Sequence, residues 1–296
     1  AGRPDVVREA SGAGDEAKIL EPADGLAYAE GTHGRHATGF RCANAEVLLC
    51  CPSPVRRRPL RPSRSSRMIP LRDYTPTHRP PIATMVLIGA CAVAFLWQLG
   101  QGSPGMEIAI YRLGMIPAVL LGTAPADIAA VPPALTLVTS MFLHGGWMHL
   151  LGNMPYLWIF GNNVEDRLGH LPFVVFYLAC GLVAAAAQIL PDPGSGIPMV
   201  GASGAISGVL GAYVVLFPHA RVLVMIPVGI LLFRHVRAAW VLGIWFAMQF
   251  VSAMIAPSGS GVAWWAHVGG FVTGFLAMQP LRRRLPSRRH RPGPWG

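Results

Sequence analysis

The sequence predicts an all-α polytopic membrane protein, a bundle of six transmembrane helices, and three observations point that way. Hydrophobic residues make up 52% of the chain and charged residues only 13%, about half the charged share of an ordinary soluble domain. Four stretches, Pro80 to Met106, Ile128 to Val164, Pro193 to Ala220 and Ala238 to Leu281, contain no Asp, Glu, Lys or Arg. A soluble fold needs charge on the outside of such stretches, whereas a bilayer accepts runs of about 20 apolar residues as spans. Lastly, once spans are placed on apolarity alone, nearly all of the later arginines fall on one side.

The first 67 residues differ from the rest. They hold eight of the fourteen acidic residues and Lys18, the sole lysine, but none of the twelve methionines. The Arg/Pro/Ser run from Pro52 to Arg67 cannot build a core. Residues 1–67 are therefore read as a disordered leader or an upstream extension of the reading frame, with Met68 as the natural start. Val47 to Cys51 is too short for the apolar region of a signal peptide.

Six spans follow, at about Ile82–Leu99, Gly146–Phe160, Leu171–Leu190, Ser203–Phe217, Ala238–Ile255 and Gly261–Met278. Pro133 and the small residues before it interrupt the second apolar region, leaving a long first loop that lies in the membrane interface. Arg72, Arg79, Arg167, Arg221, Arg234 and Arg237 all face one side under this count, together with the C-terminal arginines. The other side keeps only Arg112. The positive-inside bias makes the arginine-rich side, with both termini, cytoplasmic. Residues 68–281 thus form the membrane domain and 282–296 a basic cytoplasmic tail. The arginine-heavy usage fits a bacterial plasma membrane.

A net charge of +10 raises nucleic acid as a partner, but no folded basic domain is present to carry it. The arginines after the last span instead suit topology and anionic lipid. Cys42, Cys50, Cys51, Cys91 and Cys180 have no zinc-like or disulfide-like spacing. A metal held by His144, His149 and His267 would lack any carboxylate or thiolate ligand, and no cofactor is expected.

Unpaired polar groups are costly in lipid, so polar clusters within spans are functional candidates. The first cluster, Phe142 to Met154, contains His144, His149 and Asn153; the last two are four apart and share a helix face. The second is Gly201-Ala202-Ser203-Gly204, at the external start of the fourth span. The third is Ala266-His267-Val268-Gly269-Gly270, early in the sixth. All three lie toward the external leaflet, which makes Ser203 and His267 a candidate nucleophile and general base. Gly204, Gly208 and Gly211 form one small-residue face, and Ala266, Gly270 and Gly274 another. Such faces let helices approach closely enough for a short serine side chain to reach.

No Asp or Glu follows Asp192, and Glu165 and Asp166 belong to a cytoplasmic loop. The expectation is therefore a Ser–His dyad whose histidine is oriented by packing alone. His149, Asn153 and the Ser203 amide would donate to an oxyanion; the glycines and His144 stand at the mouth of a wet cavity, and His144 is read as structural, holding the first loop. The bland alternatives are a core histidine at His267, a helix N-cap at Ser203, and interhelical hydrogen bonds from His149 and Asn153.

These residues resemble the rhomboid family of intramembrane serine proteases. The resemblance covers about Met68 to Pro280 and rests on His144-x4-His149-x3-Asn153, Gly201-x-Ser203-Gly204 and Ala266-His267-x-Gly269-Gly270. It implies a six-helix bundle with Ser203 as nucleophile, His267 as base, and His149, Asn153 and the Ser203 amide as oxyanion hole. Glu165 with Arg167-Leu168-Gly169 resembles the family's structural loop after the second span. Two features depart from some members: Leu135-Thr136 stands where they carry Trp-Arg, and Ser207 where they carry a tyrosine beneath the histidine. The expected activity is endoproteolysis of other membrane proteins, single-span or polytopic, in or near their spans. The alternatives are an inactive rhomboid-like protein that binds membrane clients, and a transporter. The latter would need charged or broken-helix sites near the midplane, and none is visible.

Overall fold

A computed structural model describes residues 69–73, 75, 77–227, 231–257 and 261–285. The leader read at 1–67, the start at Met68, the cysteines Cys42, Cys50 and Cys51 and the tail from residue 286 lie outside the described residues.

The first helix, α1 (Ile82–Gly100), is followed by the long first loop, which is itself mostly helical: α2 (Gly102–Leu113), α3 (Pro117–Leu120) and α4 (Pro133–Thr139). Next come α5 (Trp147–Tyr156), a π-helical segment (Leu157–Gly161) and α6 (Asn162–Leu168), running on as one irregular helix. Pro155 lies inside α5, where it removes a backbone donor and crowds the preceding turn, and the π-helical segment follows directly. Then follow α7 (His170–Ile189), α8 (Ser203–Leu216), α9 (Ala238–Ile255) and α10 (Trp264–Arg284).

Among the described residues, α1, α7 and α9 are long and apolar enough to cross a membrane. Helix α8 is apolar but only 14 residues long. Val86, Val93 and Leu96 on α1, Leu171 and Val175 on α7, and Trp240, Val251 and Met254 on α9 are exposed. An apolar rind of that extent suits lipid rather than water, and the chain is an integral membrane protein.

Helix α8 sits at the centre, buried without interruption from Gly204 to Tyr213, and packs most extensively on α10, then on α7. The glycine faces make this possible. A Cβ on Gly270 would strike the Gly204 carbonyl, one on Gly274 the Gly208 carbonyl, and one on Gly211 the Phe271 carbonyl. Backbone therefore meets backbone along the α8–α10 contact, the geometry that small residues permit in a bilayer.

Two features at the bundle end opposite Ser203 depart from expectation. Strands β1 (Ile69–Asp73), β2 (Arg221–Pro227) and β3 (Leu231–Arg237) form an antiparallel sheet in that order, with Ile69 opposite Met225 and Arg221 opposite Arg237. This sheet supplements the helical architecture. Glu165 and Asp166, read as loop residues, are instead helical and almost wholly buried. Glu165 accepts from Ala83 N–H and Thr84 N–H, both at 2.8 Å, and from the Thr84 hydroxyl at 2.6 Å. Those amides are unsatisfied donors of the first turn of α1, where a carboxylate is favoured by partners and dipole alike. Asp166 accepts from Arg79 N–H at 2.9 Å, and Asp73 from the Tyr213 hydroxyl and the Asn163 amide, both at 2.7 Å.

Candidate active site

At the opposite end, Ser203 is the first residue of α8 and His267 lies in the first turn of α10. Because the glycine faces bring these helices together, His267 Nε2 lies 2.8 Å from Ser203 Oγ. Both side chains are half-buried. Ser203 is not a cap: the cap position is Ala202, and no side chain bonds the α8 terminus. The Ser203 hydroxyl is committed to the imidazole, and its backbone N–H has no acceptor in the preceding turn.

The histidine is not held by packing alone, contrary to the sequence expectation. Its Nδ1 lies 2.7 Å from Gln249 Oε1 on α9, a residue only 8% exposed. One turn earlier on the same helix, Trp245 lies against the imidazole with ring centroids 6.0 Å apart. On α10, Trp264 meets the imidazole edge-on at the same separation. The position that a tyrosine would occupy behaves differently: Ser207 donates back to its own helix at Ser203 O, 2.6 Å away.

His149 and Asn153 sit a turn apart on α5. The His149 ring covers Gly201, whose φ is +120°. A Cβ there would lie 2.6 Å from His149 Nε2, so two independent constraints select glycine. Gly145 N–H donates to His149 Nδ1 at 3.3 Å, which leaves Nε2 as the protonated nitrogen of the neutral ring. Asn153 is buried and spends one amide hydrogen on His149 O at 2.9 Å, with a second still to give.

His144 lies ahead of α5 and is fully buried, so it does not stand at a wet mouth. Its backbone and the Gln98 amide exchange two hydrogen bonds, of 3.0 and 3.2 Å. Its ring packs edge-on to His149, and burial, followed by the proximity of His149, pushes its pKa down to about 4. The first loop, lacking Trp-Arg, is fastened through backbone. Met115 and Met199 exchange N–H···O bonds of 3.1 and 2.8 Å, and Thr139 donates to Leu113 O at 2.6 Å.

Sequence reading missed three glutamines. Gln98 holds His144, Gln188 accepts from Ala266 N–H beside His267 at 3.2 Å, and Gln249 holds His267. Each is an amide inside an otherwise apolar span. The rule that singled out the histidines, that polar groups in lipid need a reason, applies equally to neutral amides.

The rhomboid domain family model matches residues 133–284, the stretch from α4 to the end of α10. The chain belongs to the rhomboid family. Rhomboid protease GluP of Bacillus subtilis (strain 168) is 35% identical over 147 residues, 49% of this chain and 25% of that protein. Putative rhomboid protease YdcA of the same organism is 28% identical over 161 residues, 50% of this chain and 69% of that protein. The mitochondrial Rhomboid protein 1 of Saccharomyces cerevisiae is 28% identical over 165 residues, 54% of this chain and 46% of that protein. This rhomboid thus spans a quarter of GluP and just under half of the yeast protein.

Proposed function

We propose that this rhomboid is an intramembrane serine endopeptidase acting on other membrane proteins, with Ser203 as nucleophile and His267 as general base. The observation that carries the reading is the 2.8 Å separation of Ser203 Oγ and His267 Nε2. In the proposed sequence His267 Nε2 takes the hydroxyl proton as Oγ attacks the scissile carbonyl, then protonates the departing amine. Water hydrolyses the acyl-enzyme with the same imidazole as base. The Ser203 N–H, the second Asn153 amide hydrogen and His149 Nε2–H are the candidate oxyanion donors. Each is neutral, so none requires a buried charge.

The length of α8 supports a site below the water boundary. Fourteen helical residues span about 21 Å at 1.5 Å each, against a hydrocarbon core of about 30 Å. Starting from the arginine-rich side, α8 ends with Ser203 short of the opposite surface. Substrates are then single-span or polytopic membrane proteins with small or helix-breaking residues near the cut, where a span unwinds cheaply. The arginine bias supports a cytoplasmic placement of both termini and of the tail from residue 282, in a bacterial plasma membrane.

The rival is an inactive rhomboid-like protein that binds membrane clients. To decide, the full chain is reconstituted in liposomes with a single-span reporter and a fluorophosphonate. Wild type should cleave the reporter and become labelled, whereas Ser203→Ala and His267→Ala should do neither. Equal cleavage by wild type and Ser203→Ala would remove the serine from the mechanism. An unlabelled, inactive wild type that still captures the reporter would establish the rival.

A further inference from the structure

We infer that Gln249 is a positioning residue that sets the tautomer of His267. This rests on the serine-protease reading above and extends it to a third helix.

An imidazole can serve as base toward Ser203 only if Nε2 offers its lone pair, which requires the proton to be on Nδ1. The carbonyl oxygen of an amide can only accept a hydrogen bond. With Oε1 of Gln249 at 2.7 Å from Nδ1, the ring proton resides on Nδ1, and Nε2 faces the serine hydroxyl with its lone pair. The reversed amide would present N–H to Nδ1 and reverse the outcome. Nε2 would then carry the proton, and Ser203 Oγ would lose its acceptor. Held with Oε1 toward the ring, Gln249 favours the reactive arrangement of these two side chains.

The choice of an amide follows from the environment. After Asp192 the chain holds no Asp or Glu, so α8, α9 and α10 carry no carboxylate, and neither do α5 and α7. The titratable group acting on His267 across the site is His149 on α5; α8 brings the Ser203 hydroxyl and α9 the neutral Trp245 and Gln249. A carboxylate at residue 249 would be buried as a charge, which the site disfavours. An amide supplies the acceptor without that penalty. As proton transfer proceeds, the same Oε1 keeps the Nδ1 hydrogen bond, now charge-assisted and stronger. The spacing within α9 reinforces the assignment: Trp245 and Gln249 are four residues apart and share a face. One turn of one helix therefore holds both the ring plane and its proton.

The test uses the full chain in liposomes and follows fluorophosphonate labelling of Ser203 as a function of reagent concentration and pH, which separates the maximal labelling rate from reagent binding. Gln249→Leu should lower the maximal rate about 10- to 100-fold with binding unchanged, the range for losing a hydrogen bond to a charged partner. Gln249→Asn, a methylene too short, should behave like the leucine variant. Gln249→Glu keeps the acceptor; it should fold less stably because of the buried charge, but the molecules that fold should regain most of the rate, with the acid limb of the profile displaced to higher pH, because a carboxylate favours imidazolium. A leucine variant labelled at the wild-type rate, or a glutamate variant as slow as leucine, overturns the inference. The glutamate variant stands alone if the leucine variant fails to fold. A wild type labelled no faster than Ser203→Ala is a different failure: it removes the serine-protease reading itself, and this inference with it.

Discussion

Gly201 shows how much one missing methyl group decides. Its φ of +120° disfavours any side chain, and the His149 ring occupies the place where a Cβ would go. Gly201→Ala should therefore displace His149 and the start of α8 together. Reporter cleavage should fall on the order of 100-fold, the loss typical of a misplaced catalytic geometry, and wild-type turnover in this variant would refute the account. Of the residues around His267, those named by the sequence were the ones whose chemistry is unusual in lipid: Ser203, His149, Asn153 and His267 itself. Gln249 escaped because an amide looks inert beside a histidine, and because its partner is 18 positions away on another helix. His144 was read as a structural hold on the first loop, but nothing local reveals that its partner is Gln98 in the interior.

Among the elements, the α8–α10 pair governs whether the serine and histidine meet. Gly274→Val would force side-chain volume against the Gly208 backbone. Overpacking of that kind costs about 1–3 kcal/mol, and here it also separates the two backbones. Thermal unfolding in detergent should show the loss, accompanied by lost fluorophosphonate labelling. The control is Gly243→Ala on α9, where an added Cβ meets nothing within 4 Å and both readouts should stay near wild type. If the two variants behave alike, close backbone approach is not what the glycines provide. Helix positions were legible because charge-free apolar runs announce spans: α9 occupies Ala238–Ile255 as expected, and α8 starts at Ser203. The sheet was not. Arg221–Pro227 and Leu231–Arg237 are short, mostly apolar runs bounded by Arg221 and Arg237, but β1 lies far upstream, and no local window links Ile69 to Met225.

On the scale of the whole molecule, the buried carboxylates and the Ser203–His267 pair occupy opposite ends. The buried carboxylates Glu165 and Asp166, together with Asp73, gather where α1 begins and β1 docks; at the reactive end the charged residues Glu107, Arg112, Asp127 and Asp192 are exposed, and the hydrogen-bond partners of Ser203 and His267 carry no carboxylate. Glu165→Ala should strip the first turn of α1 of its acceptors and lower stability on the order of 3 kcal/mol, given several buried donors left unpaired. Unfolding in a denaturing detergent series would measure it, and an unchanged midpoint would show that the carboxylate is dispensable. The labelling rate of the molecules that remain folded should be unaffected, because Glu165 lies at the end remote from Ser203.

The pairing of β1 with β2 also imposes an order on biogenesis. Strand β1 leaves the ribosome ahead of α1, yet its partner does not exist until everything through α8 has been synthesised. Until β2 is made, β1 has no partner strand. Closing the sheet joins the earliest described segment to one made much later, and acts as a latch that shuts only after the serine-bearing helix has been delivered.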